Sequence, residues 1–343
     1  MKRTIAMALL CSFLVSPLTL AAEMGRSELT AEGAQTAQKN TQDAQAKRIQ
    51  QWVMIAQDHR QNDEKRADAL RQLASYPNQN SLVAVARGLQ DENPIVREAA
   101  VVGAEPYQFD HRWRLLSPLL TDSEANVRLT ATTNLIRNYG EMDVGQKALM
   151  DPPSAELTSY LKGKKDLPSQ LLLADVYRWH QEFDEAHEIY TALQEVDNRN
   201  PQIWLGLADN YRAQGDDLQA NIVLDQAQKI LPEEANMFYS QALTLVRLDE
   251  KKQAAEAIKK ATELAPDNSY FWYLSGVLLE AFNVDDATTS FETAYEISGA
   301  PEQLYAVCDI YVRYNHLKTD SCLESLAKVA PEFVIDELKS KRG

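Results

Sequence analysis

The sequence lacks the short motifs that mark the common kinds of enzyme site. Its three cysteines include no Cys-x-x-Cys pair, which excludes covalently attached c-type haem and a thioredoxin-like redox site. Its five histidines form no His-Glu-x-x-His motif, and there is no phosphate-binding loop and no Gly-x-Ser-x-Gly turn. We therefore predict a protein that is not an enzyme and that needs no cofactor and no metal.

Long apolar runs are scarce as well, and the clearest one stands at the start of the chain. Lys2 and Arg3 precede an apolar run over 5–20, and the small residues Ala21 and Ala22 follow, which is the layout of a secretory signal peptide. Serine and proline interrupt the run, so it falls short of the roughly 20 apolar residues that span a membrane. We predict a signal peptide at 1–22, cleaved near Ala21 or Ala22, a periplasmic or secreted location, and no membrane span after cleavage.

Basic residues are outnumbered, because 35 Lys and Arg face 50 Asp and Glu for a formal net charge of −15. Removal of the two cations of the signal peptide gives −15 − 2 = −17 for the mature chain. Such a chain repels phosphate backbones, so we expect no nucleic-acid partner.

The second half of the chain has a period of 34 residues, which separates Tyr177 from Tyr211 and Pro232 from Pro266. The unit that begins at Pro201 carries small residues at positions 8, 20 and 27 and large ones at 4, 7, 11 and 24. These residues are Trp204, Leu207, Ala208, Tyr211, Ala220, Leu224 and Ala227. The pattern resembles the tetratricopeptide repeat, and the resemblance implies antiparallel helix pairs that bury their apolar faces only by stacking.

The resemblance implies an array over 167–343 that ends in a C-terminal capping helix. Its units lie near 167–200, 201–234, 235–267, 268–300 and, in degenerate form, 301–331. In the fifth unit, Cys308 and Cys322 fall at or near positions 8 and 20, which pack closely in such repeats. We predict a structural disulfide between them, which would contribute about 3 kcal/mol, and we prefer it to a redox-active pair.

The first half of the chain has a second period, of 31 residues, that separates Arg66, Arg97 and Arg128 and also Asp91 and Asp122. The last two arginines each follow a valine. These segments resemble HEAT repeats, in which an aspartate at the turn pairs with an arginine of a neighbouring unit. We therefore predict HEAT-like helical repeats over 48–150 and an all-α fold, a helical-repeat solenoid in two parts.

Two segments fall outside the repeats. Residues 23–47 contain almost no large apolar side chain and are predicted to be a flexible segment. Residues 151–166, with two adjacent prolines and a glycine, are predicted to be a linker. The order of HEAT-like and tetratricopeptide units also resembles the C-terminal part of some bacterial multihaem cytochrome c proteins, although the haem motifs of those proteins are absent.

In a tetratricopeptide array, residues at positions 2, 5, 9, 12 and 13 of each first helix line the concave groove. Applied to this chain, the rule selects arginines, aromatics and aspartates. They include Asp175, Arg178, Trp179, Asp209, Arg212, Tyr239, Arg247, Trp272, Tyr305 and Arg313. Since Trp, Tyr and Arg dominate interface hot spots, we predict a groove that binds a partner protein or peptide. The alternative is that Asp175 with Arg178, and Asp209 with Arg212, simply pair on their own helices.

These observations together predict a non-catalytic periplasmic scaffold or adaptor that holds its partner in the groove. The cytochrome resemblance suggests service in envelope or respiratory-complex assembly. Two alternatives stay open: a self-associating structural component of an envelope complex, and a hydrolase acting on an envelope polymer. The sequence identifies neither the partner nor the oligomeric state.

Overall fold

The computed structural model describes residues 44–342. The predicted signal peptide at 1–22 and most of the predicted flexible segment at 23–47 lie outside these residues. The last part of that segment, 44–47, belongs to helix α1, which is described over 44–57.

Within the described residues the chain is helical and contains no strand, which confirms the all-α fold. Short 3₁₀ turns at Ser117–Thr121 and Tyr139–Glu141 separate some of the helices. No helix of this part of the chain has the length and apolar character needed to cross a membrane. After α1 the helices are α2 Asp63–Leu73, α3 Gln79–Gly88, α4 Pro94–Gly103, α5 Phe109–Leu116, α6 Ala125–Ile136, α7 Val144–Lys162, α8 Leu167–Trp179, α9 Phe183–Val196, α10 Pro201–Ala213, α11 Asp217–Ile230, α12 Ala235–Arg247, α13 Lys251–Leu264, α14 Ser269–Leu279, α15 Val284–Ser298, α16 Pro301–Arg313, α17 Thr319–Leu326 and α18 Glu332–Ser340.

The chain divides into two compact units between Leu135 and Ile136. In the first unit, α2 and α4 pack together, and arginine–aspartate pairs recur with the 31-residue period. Arg66 pairs with Asp91, and Arg97 Nη2 lies 2.8 Å from Asp122 Oδ1. These pairs are the contacts that the HEAT resemblance implies, and membership of that family stays a prediction.

The boundary between the units differs from the predicted linker at 151–166. Helix α7 continues through Pro152 and Pro153 to Lys162, and only 163–166 join it to α8. Interior prolines disfavour a helix by about 3 kcal/mol, which is why they suggested a break. Packing outweighs that cost here, because Met150, Pro153, Leu157 and Leu161 form one buried stripe at helical spacing.

The second unit consists of consecutive helix pairs whose turns keep the 34-residue period. Gln181, Gly215 and Asp249 are 34 residues apart, lie in the turns inside three successive pairs and have positive φ angles of 69°, 81° and 61°. The first helices of four pairs start after residues 166, 200, 234 and 268, each of which caps the helix with its side chain. The repeat is therefore visible in the backbone as well as in the sequence.

Small residues allow the two helices of each pair to approach closely, as the repeat pattern predicts. Ala208 and Ala220, at positions 8 and 20 of the second pair, are fully buried. Gly206 faces the ring of Tyr190 from the preceding pair so closely that an added Cβ would lie 2.4 Å from Cε1. Stacking of one pair on the next thus depends on side chains that leave room for the neighbouring helix.

Candidate protein-binding surface

The first helices of the pairs, α8, α10, α12, α14 and α16, contact one another in sequence and form what we call the first-helix face. Arg212 on α10 donates to the carbonyl oxygen of Ser240 on α12 at 3.2 Å. Tyr239 on α12 stacks on Phe271 of α14 with ring centroids 5.1 Å apart. Arg313 on α16 donates to Glu280, the C-cap residue that follows α14. Side chains on this face thus form contacts between successive first helices.

All ten residues predicted to bind a partner are half-buried or exposed, and none is fully buried. They therefore keep part of their surface available on the first-helix face. Their role in binding a partner stays a prediction.

The arginines, however, are already engaged within the chain. Arg178 Nη2 donates to Asp175 Oδ1 at 2.8 Å, and Arg212 pairs with Asp209 on its own helix. These are the pairings within one helix that the sequence left open as the alternative. The guanidinium groups of Arg178 and Arg212 are consequently held in place by carboxylates of this chain.

Two further arginines pair across the array in ways that the sequence did not predict. Arg247 Nε lies 2.6 Å from Asp217 Oδ1 of the preceding pair, although half of the Arg247 side chain stays exposed. Arg313 contacts Glu280 and also donates from Nε to Asp309 Oδ2 at 2.7 Å. Sequence spacing identifies positions on a face but not the partners that long side chains reach, so these contacts were missed.

Burial changes the protonation equilibria of this network. Burial lowers the pKa of Arg212, and the nearby guanidinium groups of Arg247 and Arg178 lower it further. Burial also raises the pKa of Tyr190, as does the Asp175 carboxylate, to which the Tyr190 hydroxyl donates at 2.6 Å. Tyr190 therefore remains a hydrogen-bond donor at neutral pH and fixes the orientation of Asp175.

The predicted aromatic residues are partly used in packing. The Trp179 ring lies 5.4 Å from the guanidinium carbons of both Arg137 and Arg178. Trp272 Nε1 donates to the carbonyl oxygen of Pro266 at 2.9 Å. Burial, together with a hydrogen bond to Tyr270, raises the pKa of Tyr239 to about 12. All three rings are half-buried, so each keeps part of its surface exposed.

A cavity of about 330 Å³ opens between α8 and α10 on this face. Leu171 and Leu205, the fifth residues of the two helices, supply apolar walls, while Asp175 and Asp209, the ninth residues, supply carboxylates. Both aspartates and both leucines follow the 34-residue period, so the cavity is a direct product of the repeat.

The fifth pair is covered by the C-terminus of the chain. Helix α18 packs Ile335 and Leu338 into the core of this pair, and its role as a capping helix stays a prediction. Just beyond it, Lys341 Nζ lies 3.1 Å from the Tyr305 hydroxyl and 3.0 Å from Asp309 Oδ1. Tyr305 is thus in contact with the chain itself, a contact that no periodic position in the sequence indicated.

The two cysteines of the fifth pair meet as the repeat positions imply. The sulfur atoms of Cys308 on α16 and Cys322 on α17 are 1.97 Å apart, a disulfide-bonding distance, and their Cα atoms are 5.5 Å apart. Elsewhere in residues 44–342, no three His, Cys, Asp or Glu side chains are placed to hold a metal ion.

Comparison with known protein families identifies the repeat type of one helix pair. Residues 235–268, which include α12 and α13, match the family model of the tetratricopeptide repeat. The chain therefore carries a tetratricopeptide unit at the place where the 34-residue period predicts one. No curated protein matches the chain at a significant level.

Several solved structures are similar to part of the chain. MamA is 20% identical over 52% of this chain and 99% of its own, with a TM-score of 0.41. YrrB, described as a tetratricopeptide protein with an unusual peptide-binding site, is 20% identical over 53% of this chain and 97% of its own, with a TM-score of 0.42. TTC0263 of Thermus thermophilus is 19% identical over 63% of this chain and 100% of its own, with a TM-score of 0.36. At these values the likenesses assign neither a function nor a partner to this protein.

Proposed function

We propose that this protein is a non-catalytic scaffold that binds a partner protein or peptide on its first-helix face. The observation that carries the proposal is that all ten predicted binding residues remain on the surface of one connected row of helices. Aromatic rings and paired charges at such a surface provide contacts that can be desolvated by a guest.

The intramolecular ion pairs support this function. Because Asp175, Arg178 and Tyr190 hold one another, the surface that a guest meets is already ordered before binding. Ordering side chains on binding costs about 0.5–1.5 kcal/mol for each long side chain, and a preorganised surface avoids that cost. The arginines thus act mainly by holding the side chains of the first-helix face in place, and the groups around them contact the partner.

An extracytoplasmic location is part of the proposal. The signal-peptide layout at 1–22 supports it, as does the bonding distance between Cys308 and Cys322, since disulfides persist in oxidising compartments. Service in envelope or respiratory-complex assembly is a further proposal that rests on the order of the repeats.

Site-specific photocrosslinking in intact cells tests the function. A photoreactive phenylalanine analogue at Leu205 or Tyr239 samples the first-helix face, and the same analogue at Ile222, exposed on second helix α11, is the matched control. We expect a discrete crosslinked partner from the first two positions and none from the third. Equal products from all three positions, or none from the first two, would remove the first-helix face as the binding surface.

A further inference from the structure

The fifth helix pair shows what kind of group the first-helix face accepts. Lys341 enters from beyond the repeats and places its ammonium group between the Tyr305 hydroxyl and Asp309 Oδ1, with its nitrogen 5.6 Å from the centre of the tyrosine ring. Tyr305 and Asp309 are the fifth and ninth residues of α16. A lysine from beyond the fifth helix pair is therefore seated on the fifth and ninth positions of a first helix.

The first two pairs repeat the aspartate at the ninth position, whereas leucine replaces tyrosine at the fifth. Leu171 and Asp175 are the fifth and ninth residues of α8, and Leu205 and Asp209 those of α10. Oδ1 of each aspartate pairs with the arginine three residues later. The hydrogen bonds from Arg178 and Tyr190 to Asp175, and from Arg212 to Asp209, are all accepted by Oδ1, and both aspartates line the cavity between the helices.

The nearby arginines do not exclude a second cation. Asp309 already binds two at once, because Oδ2 accepts from Arg313 Nε at 2.7 Å while Oδ1 accepts from Lys341 Nζ at 3.0 Å. In the first two pairs, the carboxylates are also the more accessible partners. The Asp175 and Asp209 side chains are 31% and 38% exposed, whereas those of Arg178 and Arg212 are 15% and 18% exposed.

We propose that the cavity between α8 and α10 binds a lysine side chain of a basic segment of the partner protein, an assignment that rests on the proposed function. The aliphatic stem of the lysine lies against Leu171 and Leu205, and its ammonium group reaches the carboxylates of Asp175 and Asp209. Lysine suits such a site because it buries a long apolar stem beneath a compact charge. The net charge of −15 adds a long-range attraction for a basic partner.

Three synthetic peptides test the assignment. Each has about 15 residues on the same alanine–leucine helical sequence, and they carry lysine, glutamate or glutamine at the same two positions. Binding to the full protein is measured by fluorescence anisotropy. We expect the lysine peptide to bind about tenfold or more tightly than the glutamine peptide, as a hydrogen-bonded charge pair would give.

The protein variants separate the cavity from the general acidic charge. Asp175→Asn with Asp209→Asn removes both charges but keeps amide oxygens for the arginines, and it should abolish the lysine preference. Glu195→Gln with Glu233→Gln removes two exposed charges, one on α9 and one in the connection between α11 and α12, and should keep the preference.

A third variant protects the test against misfolding of the aspartate variant. Leu205→Lys retains both carboxylates and offers Asp209 an internal lysine four residues away, which should block the cavity. Thermal unfolding of each variant shows whether it is folded.

The outcomes are distinct. Tighter binding of the glutamate peptide, equal losses in both double variants, or no binding of the lysine peptide at about 1 mM would overturn the lysine assignment. If any of these results is found but Leu205 still gives crosslinks, the proposed function stands and only the assignment of a lysine to the cavity is rejected. Loss of both the crosslinks and the peptide binding would remove the proposed function as well.

Discussion

The substitution Arg66→Met measures what a buried ion pair contributes to the first unit. The side chains of Arg66 and Asp91 are only 5% and 6% exposed, and Arg66 also pairs with Asp63 at 3.0 Å. Methionine keeps much of the volume but leaves the Asp91 carboxylate buried without its cation. Because breaking such a pair costs about 3–5 kcal/mol, we expect the free energy of unfolding to fall by about that amount at pH 7.

The same helix offers a matched control. Arg71 and Asp68 form a pair of 3.1 Å on α2, but their side chains are 39% and 73% exposed. Arg71→Met should therefore cost less than about 1 kcal/mol. Urea denaturation followed by circular dichroism, with hydrogen exchange of the α2 amides as a local measure, compares the two variants. Equal losses for both would refute the argument from burial.

Lowering the pH should reduce the difference in the free energy of unfolding between Arg66→Met and the parent protein. Burial raises the pKa of Asp91, but the hydrogen bonds from Arg66 and from the Asn93 backbone amide, together with the charge of Arg66, outweigh burial and hold this pKa below its usual value. A carboxyl lowered in this way stabilises the fold above its unfolded pKa of about 3.9, and the stabilisation is lost as pH falls through the folded pKa. Without Arg66, burial favours the protonated form, so the variant should recover relative stability between pH 7 and pH 4. A constant difference over that range would contradict this assignment.

The remaining predictions concern the second unit. Arg212→Glu places two carboxylates together in a half-buried site and should cost about 2–4 kcal/mol by chemical denaturation, whereas Arg247→Glu, at a side chain that is 52% exposed, should cost less than about 1 kcal/mol. Gly206→Ala forces a methyl group against the buried tyrosine ring of α9 and should lower stability by about 1–3 kcal/mol; an unchanged melting temperature would show that the ring moves freely. Cys308→Ser should cost about 3 kcal/mol if Cys322 is its oxidised partner, and a thiol assay that detects two free cysteines in the unfolded parent protein would exclude the bond.

The sequence was sufficient to predict the helical repeat because the repeat is set by local spacing. Positions 34 apart became the turn residues Gln181, Gly215 and Asp249 and the buried small residues of each pair. The predicted linker at 151–166 was less accurate, because proline propensity is local whereas the buried stripe that keeps α7 intact is a tertiary property.

The candidate site was predictable to a lesser degree. Spacing placed Arg178 and Arg212 on the first-helix face, but it could not decide between a guest and the neighbouring aspartate as their partner, since both choices satisfy the same positions. Lys341 lies beyond the last repeat, so no period indicated its contact with Asp309. Contacts of long side chains depend on reach and competition among partners, which the order of residues does not specify.

Helix α18 affects whether copies of this protein can stack end to end. Every helix pair of a repeat array leaves an apolar edge on which a further pair can stack. Here Ile335 and Leu338 close that edge with side chains of the same chain. Deleting the residues after Pro331 would therefore expose this apolar edge. Copies of the truncated protein would then associate through it, and the size of the assembly would depend on protein concentration.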